Sequence, residues 1–214
     1  MLEAGDPMRD KADRVNTDPN QPPALRLGLY GGTFDPIHHG HLILARDAIE
    51  RLALDRVIFI PAALSPHKLT TRPVLPTLRR DMVAAAIAGE PSFALDDSEI
   101  HRAGPSYTID TVENVRTAHP RAELFYFIGE DNVAALHTWR RIEDLRRLVQ
   151  FIVFGRGESG AAHDFVRLPR RIDISATEIR TRVAHGESIR YLVPEAVREI
   201  IDRHQLYQEP SHQI

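Results

Sequence analysis

The stretch Gly31–Leu42, GGTFDPIHHGHL, decides how the rest of the chain is read. Before it stands LRLGLY, a short apolar run of strand character. After it comes LILARDAIERLAL, in which Leu42, Ala45, Ile49 and Leu52 recur at helical spacing. A strand, a glycine turn and a helix therefore follow one another with no linker. Gly31 and Gly32 allow backbone to approach a ligand closely. The helix is expected to begin near Gly40 and His41. Its unpaired N–H groups and the positive end of its dipole would then favour an anion at the turn. His38 and His41 stand three apart, so their imidazoles can face one side and donate hydrogen bonds to phosphate oxygens without a permanent charge. Neither a G-x-G-x-x-G fingerprint nor a G-K-[ST] ending is present. Two other readings stay open: a metal held by His-x-x-His, for which no third ligand suggests itself, and histidines that merely furnish a polar turn.

Outward from this turn the pattern repeats. RVIFIPA, SFALDD, ELFYFIG and FIVFG read as further strands. TLRRDMVAAAIAG, TIDTVENVRTAH, RIEDLRRLVQ, SATEIRTRVAHG and PEAVREIIDRHQLY read as helices, the last with Pro194 in its first turn. Strands that are continuous apolar runs and alternate with helices predict an α/β protein, a doubly wound parallel sheet in a single domain. Ligands of such sheets bind beyond the carboxyl ends of the strands, where the opening stretch lies. Residues 24–208 are expected to form this domain. Residues 1–23, polar and rich in Pro, Asp and Asn, read as a flexible tail, and 209–214 as a second one.

Composition narrows the function. The 214 residues carry 27 basic and 30 acidic side chains, a formal net charge of -3, which gives no global field for nucleic acid. The absence of cysteine removes disulfides, thiolate metal sites and thiol nucleophiles, and permits a reducing compartment. No apolar run approaches the ~20 residues that span a bilayer.

Other blocks carry two readings each. In ISATEIR, Ser175 and Glu178 form an S-x-x-E capping box, yet a helix N-terminus with Arg180 one turn in also attracts anions. Lys68 in SPHK is either a solvated charge or a phosphate partner. Ser106 or Thr108 in GPSYTIDT could cap the helix that follows. Trp139 is the sole tryptophan, suited to a core or to stacking on a flat ring. Asp131, after FIGE, could cap DNVAAL or accept hydrogen bonds from a ribose. Asp35 belongs to an Asp-Pro turn and reads as structural.

TFDPIHHGH resembles the T-F-D-P-x-H-x-G-H signature of the nucleotidyltransferase superfamily. Within it, the chain is similar to the bacterial nicotinate-nucleotide adenylyltransferases. SPHK at 65–68, HRAGPSYTIDT at 101–111, FIGEDN at 127–132, Trp139, ISATEIR at 174–180 and YLVP at 191–194 follow in the family's order, so the resemblance runs from about Leu27 to Tyr207. It implies a Rossmann-like nucleotidyltransferase fold. It also implies an adenylyl transfer from ATP to nicotinate mononucleotide, giving nicotinate adenine dinucleotide and pyrophosphate, a step of NAD biosynthesis.

The resemblance assigns ATP to Gly31, Gly32, Thr33, Phe34, His41, Gly129, Asp131, Ser175, Thr177 and Arg180. It assigns the mononucleotide to Thr108, Trp139 and Lys68, and charge stabilisation to His38, His41, Lys68 and Arg180. Mg²⁺ would ride mainly on the ATP phosphates, with no metal-binding side chain assigned. The expected partners are these substrates, with no nucleic acid and no membrane; a homo-oligomer is compatible, and the implied location is cytoplasmic. Ala176 stands where the family usually has Ser, and Arg140 where it often has an aromatic residue. The rival readings are a sibling transferase acting on nicotinamide mononucleotide or phosphopantetheine, a class I aminoacyl-tRNA synthetase, and a non-catalytic nucleotide-binding module.

Overall fold

The computed structural model describes residues 23–63, 73–102, 104–155 and 165–208. The expected tails, apart from Pro23, and the SPHK block with Lys68 lie outside them. The first half of the chain gives β1 (Arg26–Gly32), α1 (His39–Arg51), β2 (Arg56–Pro61), α2 (Pro76–Ile87), β3 (Phe93–Leu95), a short α3 (Ser98–His101) and α4 (Thr108–Ala118). The second half gives β4 (Glu123–Gly129), a short α5 (Glu130–Val133), a 3-10 turn (Leu136–Thr138), α6 (Ile142–Leu148), β5 (Gln150–Gly155), β6 (Val166–Pro169), α7 (Ala176–Ala184) and α8 (Glu195–Arg203).

The strands form one six-stranded sheet in the order β3-β2-β1-β4-β5-β6, with every neighbouring pair parallel. Both faces are covered because the strands are apolar on both. In β2, Val57 and Phe59 belong to one core with α1, α2, α7 and α8, while Ile58 and Ile60 belong to a second core with α4 and α6. Wholly buried aromatic rings at Phe59, Phe125 and Phe127 dominate the central strands. Burial of each such side chain contributes about 1.5–3 kcal/mol.

The order reverses at β1. The chain leaves it toward β2 and β3, then crosses back to lay β4 on the other side of β1. Open parallel sheets offer a ligand a place beyond the carboxyl ends of the strands at such a reversal, here β1 and β4.

The predicted doubly wound sheet is therefore present, with differences at its margins. The edge strand β6 was not foreseen. Its sequence, VRLP, is too short for its alternation to mark a strand, and among the described residues only β5 pairs with it. Pro194 is the residue before α8 rather than in its first turn, and Glu195 opens the helix.

Candidate active site

The glycine turn sits where β1 runs out. A Cβ on Gly31 would fall onto the Tyr126 hydroxyl, so close packing of β4 on β1 requires glycine there. Gly32 is the last residue of β1, and its carbonyl accepts from the Ala62 N–H at 2.9 Å. Phe34 then adopts φ 48 and is buried. A left-handed bulky residue costs roughly 1–2 kcal/mol and persists only where packing over-determines it. Here Phe34 meets Tyr30 at 5.6 Å and the His41 ring at 5.1 Å, both edge-on.

His38 immediately precedes α1 in extended backbone, and His41 lies in its first turn. The two rings stack at 3.7 Å with an interplanar angle of 26°. The His38 backbone N–H donates to Nδ1 of His41 at 3.2 Å. That nitrogen is therefore unprotonated, and the His41 ring proton sits on Nε2. His38 is buried, with Nδ1 lacking a partner among the described residues. Burial pushes its pKa down to about 4, helped by neighbouring His39. A neutral ring suits a hydrogen bond to phosphate, as the sequence reading asked. Gly40 is needed between them: a Cβ there would lie 2.9 Å from His38 Nδ1 and 3.4 Å from Ile172.

That contact with Ile172 announces the second half of the site, because Ile172 leads into α7. Ser175 caps α7, its hydroxyl accepting from the Glu178 N–H at 3.1 Å. Arg180 reaches back across 145 residues to donate from Nη1 to the Asp35 carbonyl at 2.8 Å, and from Nη2 to the Thr177 hydroxyl at 3.2 Å. The YLVP block arrives too, for the His39 N–H donates to the Leu192 carbonyl at 3.0 Å. The α1 turn and the start of α7 are thus joined directly.

Two residues that hold this turn were missed in the sequence. Arg79 of α2 is completely buried and donates to three carbonyls: Thr33 at 2.5 Å, Val74 at 2.9 Å and Ala63 at 3.2 Å. Burial lowers its pKa, and the Asp35 charge opposes that. In TLRRDMV it looks like any helix-surface arginine, so no local signal marks it. Tyr207 donates its hydroxyl to Asp35 Oδ1 at 2.7 Å, and burial foremost raises its pKa. Asp35 is accordingly structural, as its Asp-Pro turn suggested.

The remaining predicted residues gather around β4 and α4. Thr108 is the first residue of α4, behind Tyr107, and neither it nor Ser106 caps the helix. Its hydroxyl lies 3.5 Å from the Tyr126 hydroxyl, whose pKa burial pushes up to about 12. Trp139 is half-buried and meets Tyr126 edge-on at 5.8 Å and Phe151 at 6.3 Å. It borders the second core and also faces outward. Gly129 precedes α5, and Asp131 is exposed in that helix's second position. Capping of DNVAAL by Asp131 is therefore overturned, because Gly129 holds the cap position. Lys68 lies outside the described residues. A groove of about 490 Å³ opens at the other end of the sheet, beside Leu25, Asp55, Ala118 and His119, and no predicted site residue lines it.

Comparison with known proteins shows the family and the fold. A cytidylyltransferase-like family model matches residues 29–182. A protein of Lactiplantibacillus plantarum named a probable nicotinate-nucleotide adenylyltransferase is 41% identical over 191 residues, covering 87% of this chain and 90% of the relative. The chain belongs to the nicotinate-nucleotide adenylyltransferase family. A second member, from Trichlorobacter lovleyi, is 41% identical over 212 residues and is covered completely by 86% of this chain. Among solved structures, the nicotinic acid mononucleotide adenylyltransferase of Plasmodium falciparum, complexed with NaAD, shares the fold at a TM-score of 0.69 with 20% identity. The match spans 86% of this chain and 97% of that one.

Proposed function

We propose that the chain transfers the adenylyl group of ATP to nicotinate mononucleotide, releasing pyrophosphate and forming nicotinate adenine dinucleotide. Family membership supports the reaction. The observation that carries the site is the Arg180–Asp35 bond, which ties the first turns of α7 to the turn before α1. The N-terminus of each of these two helices favours an anion, and a triphosphate can lie between them.

The mononucleotide phosphate is already an ionised nucleophile. A new bond forms between its oxygen and the α-phosphorus, and the bond from that phosphorus to the β-phosphate bridging oxygen breaks. The electron pair leaves with pyrophosphate. No general base or covalent intermediate is needed, so catalysis rests on alignment and charge stabilisation. In this reading Gly31, Gly32, Thr33, Phe34 and His41 form the turn that receives ATP. His38 and His41 donate at the phosphates. Ser175, Thr177 and Arg180 grip the far end, and Gly129 with Asp131 meets the nucleoside. Lys68 would add a charge at the leaving group.

Thr108 and Trp139 receive the pyridine end of the acceptor. Mg²⁺ would be carried in on the ATP phosphates, with no metal-binding side chain assigned to it. That ion would neutralise phosphate charge. Alignment can supply ~7–11 kcal/mol of barrier reduction in favourable cases.

The test is pyrophosphate release from ATP with each pyridine mononucleotide supplied in turn. Release with nicotinate mononucleotide and ATP together, and with neither alone, is expected. Release without an acceptor, or no release with either mononucleotide, refutes the assignment.

A further inference from the structure

Five side chains around the start of α4 close a circuit of contacts. The Arg140 guanidinium carbon lies 4.6 Å from the centre of the Tyr107 ring. Tyr107 is bonded to Thr108, whose hydroxyl lies 3.5 Å from that of Tyr126. Tyr126 meets Trp139 edge-on at 5.8 Å, and Trp139 is bonded to Arg140. The circuit has two flat apolar walls, an uncapped helix N-terminus and a cation.

The charge on Arg140 is singular in its neighbourhood. Arg141 pairs with Glu113 at 2.9 Å and Asp144 at 2.7 Å, Arg147 with Asp144 at 3.1 Å, and Arg146 with Glu143 at 3.9 Å. Among the described residues Arg140 has no carboxylate partner, and its recorded contact is the aromatic face. An arginine stacked on a ring keeps its planar N–H edge available for a second, in-plane acceptor. A carboxylate on a flat ring offers such an acceptor, with two oxygens and a full negative charge. A carboxamide offers one neutral oxygen and an NH₂ that repels the guanidinium.

We propose that Arg140, held over Tyr107, is a specificity-determining residue that selects the nicotinate carboxylate over the nicotinamide carboxamide. This rests on the reaction proposed above and adds to it the group that discriminates the acceptor.

The experiment compares kcat/KM for nicotinate and nicotinamide mononucleotides in wild type, Arg140→Gln and Arg140→Lys. Arg140 is exposed, so folding of the variants should be unaffected, and their melting temperatures check this. Wild type is expected to prefer the nicotinate form. In Arg140→Gln that preference should fall at least tenfold, equivalent to about 1.4 kcal/mol, with KM for ATP unchanged. Arg140→Lys should retain part of the preference, since it keeps the charge and loses the planar fork. The preference of wild type should also weaken with added salt. An unchanged ratio in Arg140→Gln overturns the inference and leaves the reaction standing. So does an equal loss with both acceptors, which would mark a purely structural role. Wild type inactive with both mononucleotides removes the reaction and this inference together.

Discussion

Acidification should destabilise this protein through His38, by an amount the structure sets. His38 has an ordinary pKa of 6.5 when unfolded and about 4 when buried beside His39. Its folded value is depressed, so the folded state resists a proton that the unfolded state accepts. Stability is unaffected well above pH 6.5 and is lost as pH falls from about 6.5 toward 4. Between pH 7.5 and pH 5 the linkage relation gives a loss of about 2 kcal/mol from this one ring. For a chain of this size that corresponds to a melting temperature lower by roughly 4–8 °C.

Glu99, whose pKa burial raises, works in the opposite direction. The informative quantity is therefore a difference: urea unfolding of wild type and His38→Asn at pH 7.5 and pH 5. Asparagine keeps a polar side chain and cannot titrate. Wild type should lose about 2 kcal/mol more than the variant over that interval. Equal losses in the two proteins would refute the claim that His38 is held neutral by burial.

Three further outcomes follow from the same geometry. Gly40→Ala drives a methyl group against His38 Nδ1 and Ile172; it should cost about 1–3 kcal/mol in chemical denaturation and lower kcat, because the imidazole has to shift. Arg79→Met leaves the carbonyls of Thr33, Ala63 and Val74 without their donor. A destabilisation of about 2–4 kcal/mol is expected by urea titration, with only partial recovery in Arg79→Lys, and a change below 0.5 kcal/mol would contradict the clamp. His41→Ala removes a donor that the proposed mechanism directs at phosphate; kcat should fall more than tenfold while the far-ultraviolet circular dichroism spectrum is retained, and unchanged turnover would exclude that role.

Much of this molecule was written locally. Alternation of apolar runs with helical periodicities determined the doubly wound sheet, because a strand buried on both faces has to be apolar throughout and its crossover has to be amphipathic. The glycine turn and paired histidines were legible because their chemistry depends on residues within a dozen positions of one another. Ser175 as a cap was legible for the same reason. The edge strand β6 was not, since a four-residue strand acquires its pairing from β5 and not from its own pattern. The alternative of Asp131 as a cap failed because the helix begins two residues earlier than that cap requires, at Glu130, with Gly129 in the cap position.

The sequence by itself therefore determined the layers, the glycine and histidine turn between the first strand and helix, and the family. Only the tertiary structure decided what holds that turn in place. Arg79 lies 46 residues from Thr33, Arg180 lies 145 from Asp35, and Tyr207 lies 172 from Asp35. Hydrogen bonds over such separations leave no periodicity or spacing to read. They exist because the strand order reverses at β1, which brings the turn after β1 and the helices that follow β6 together.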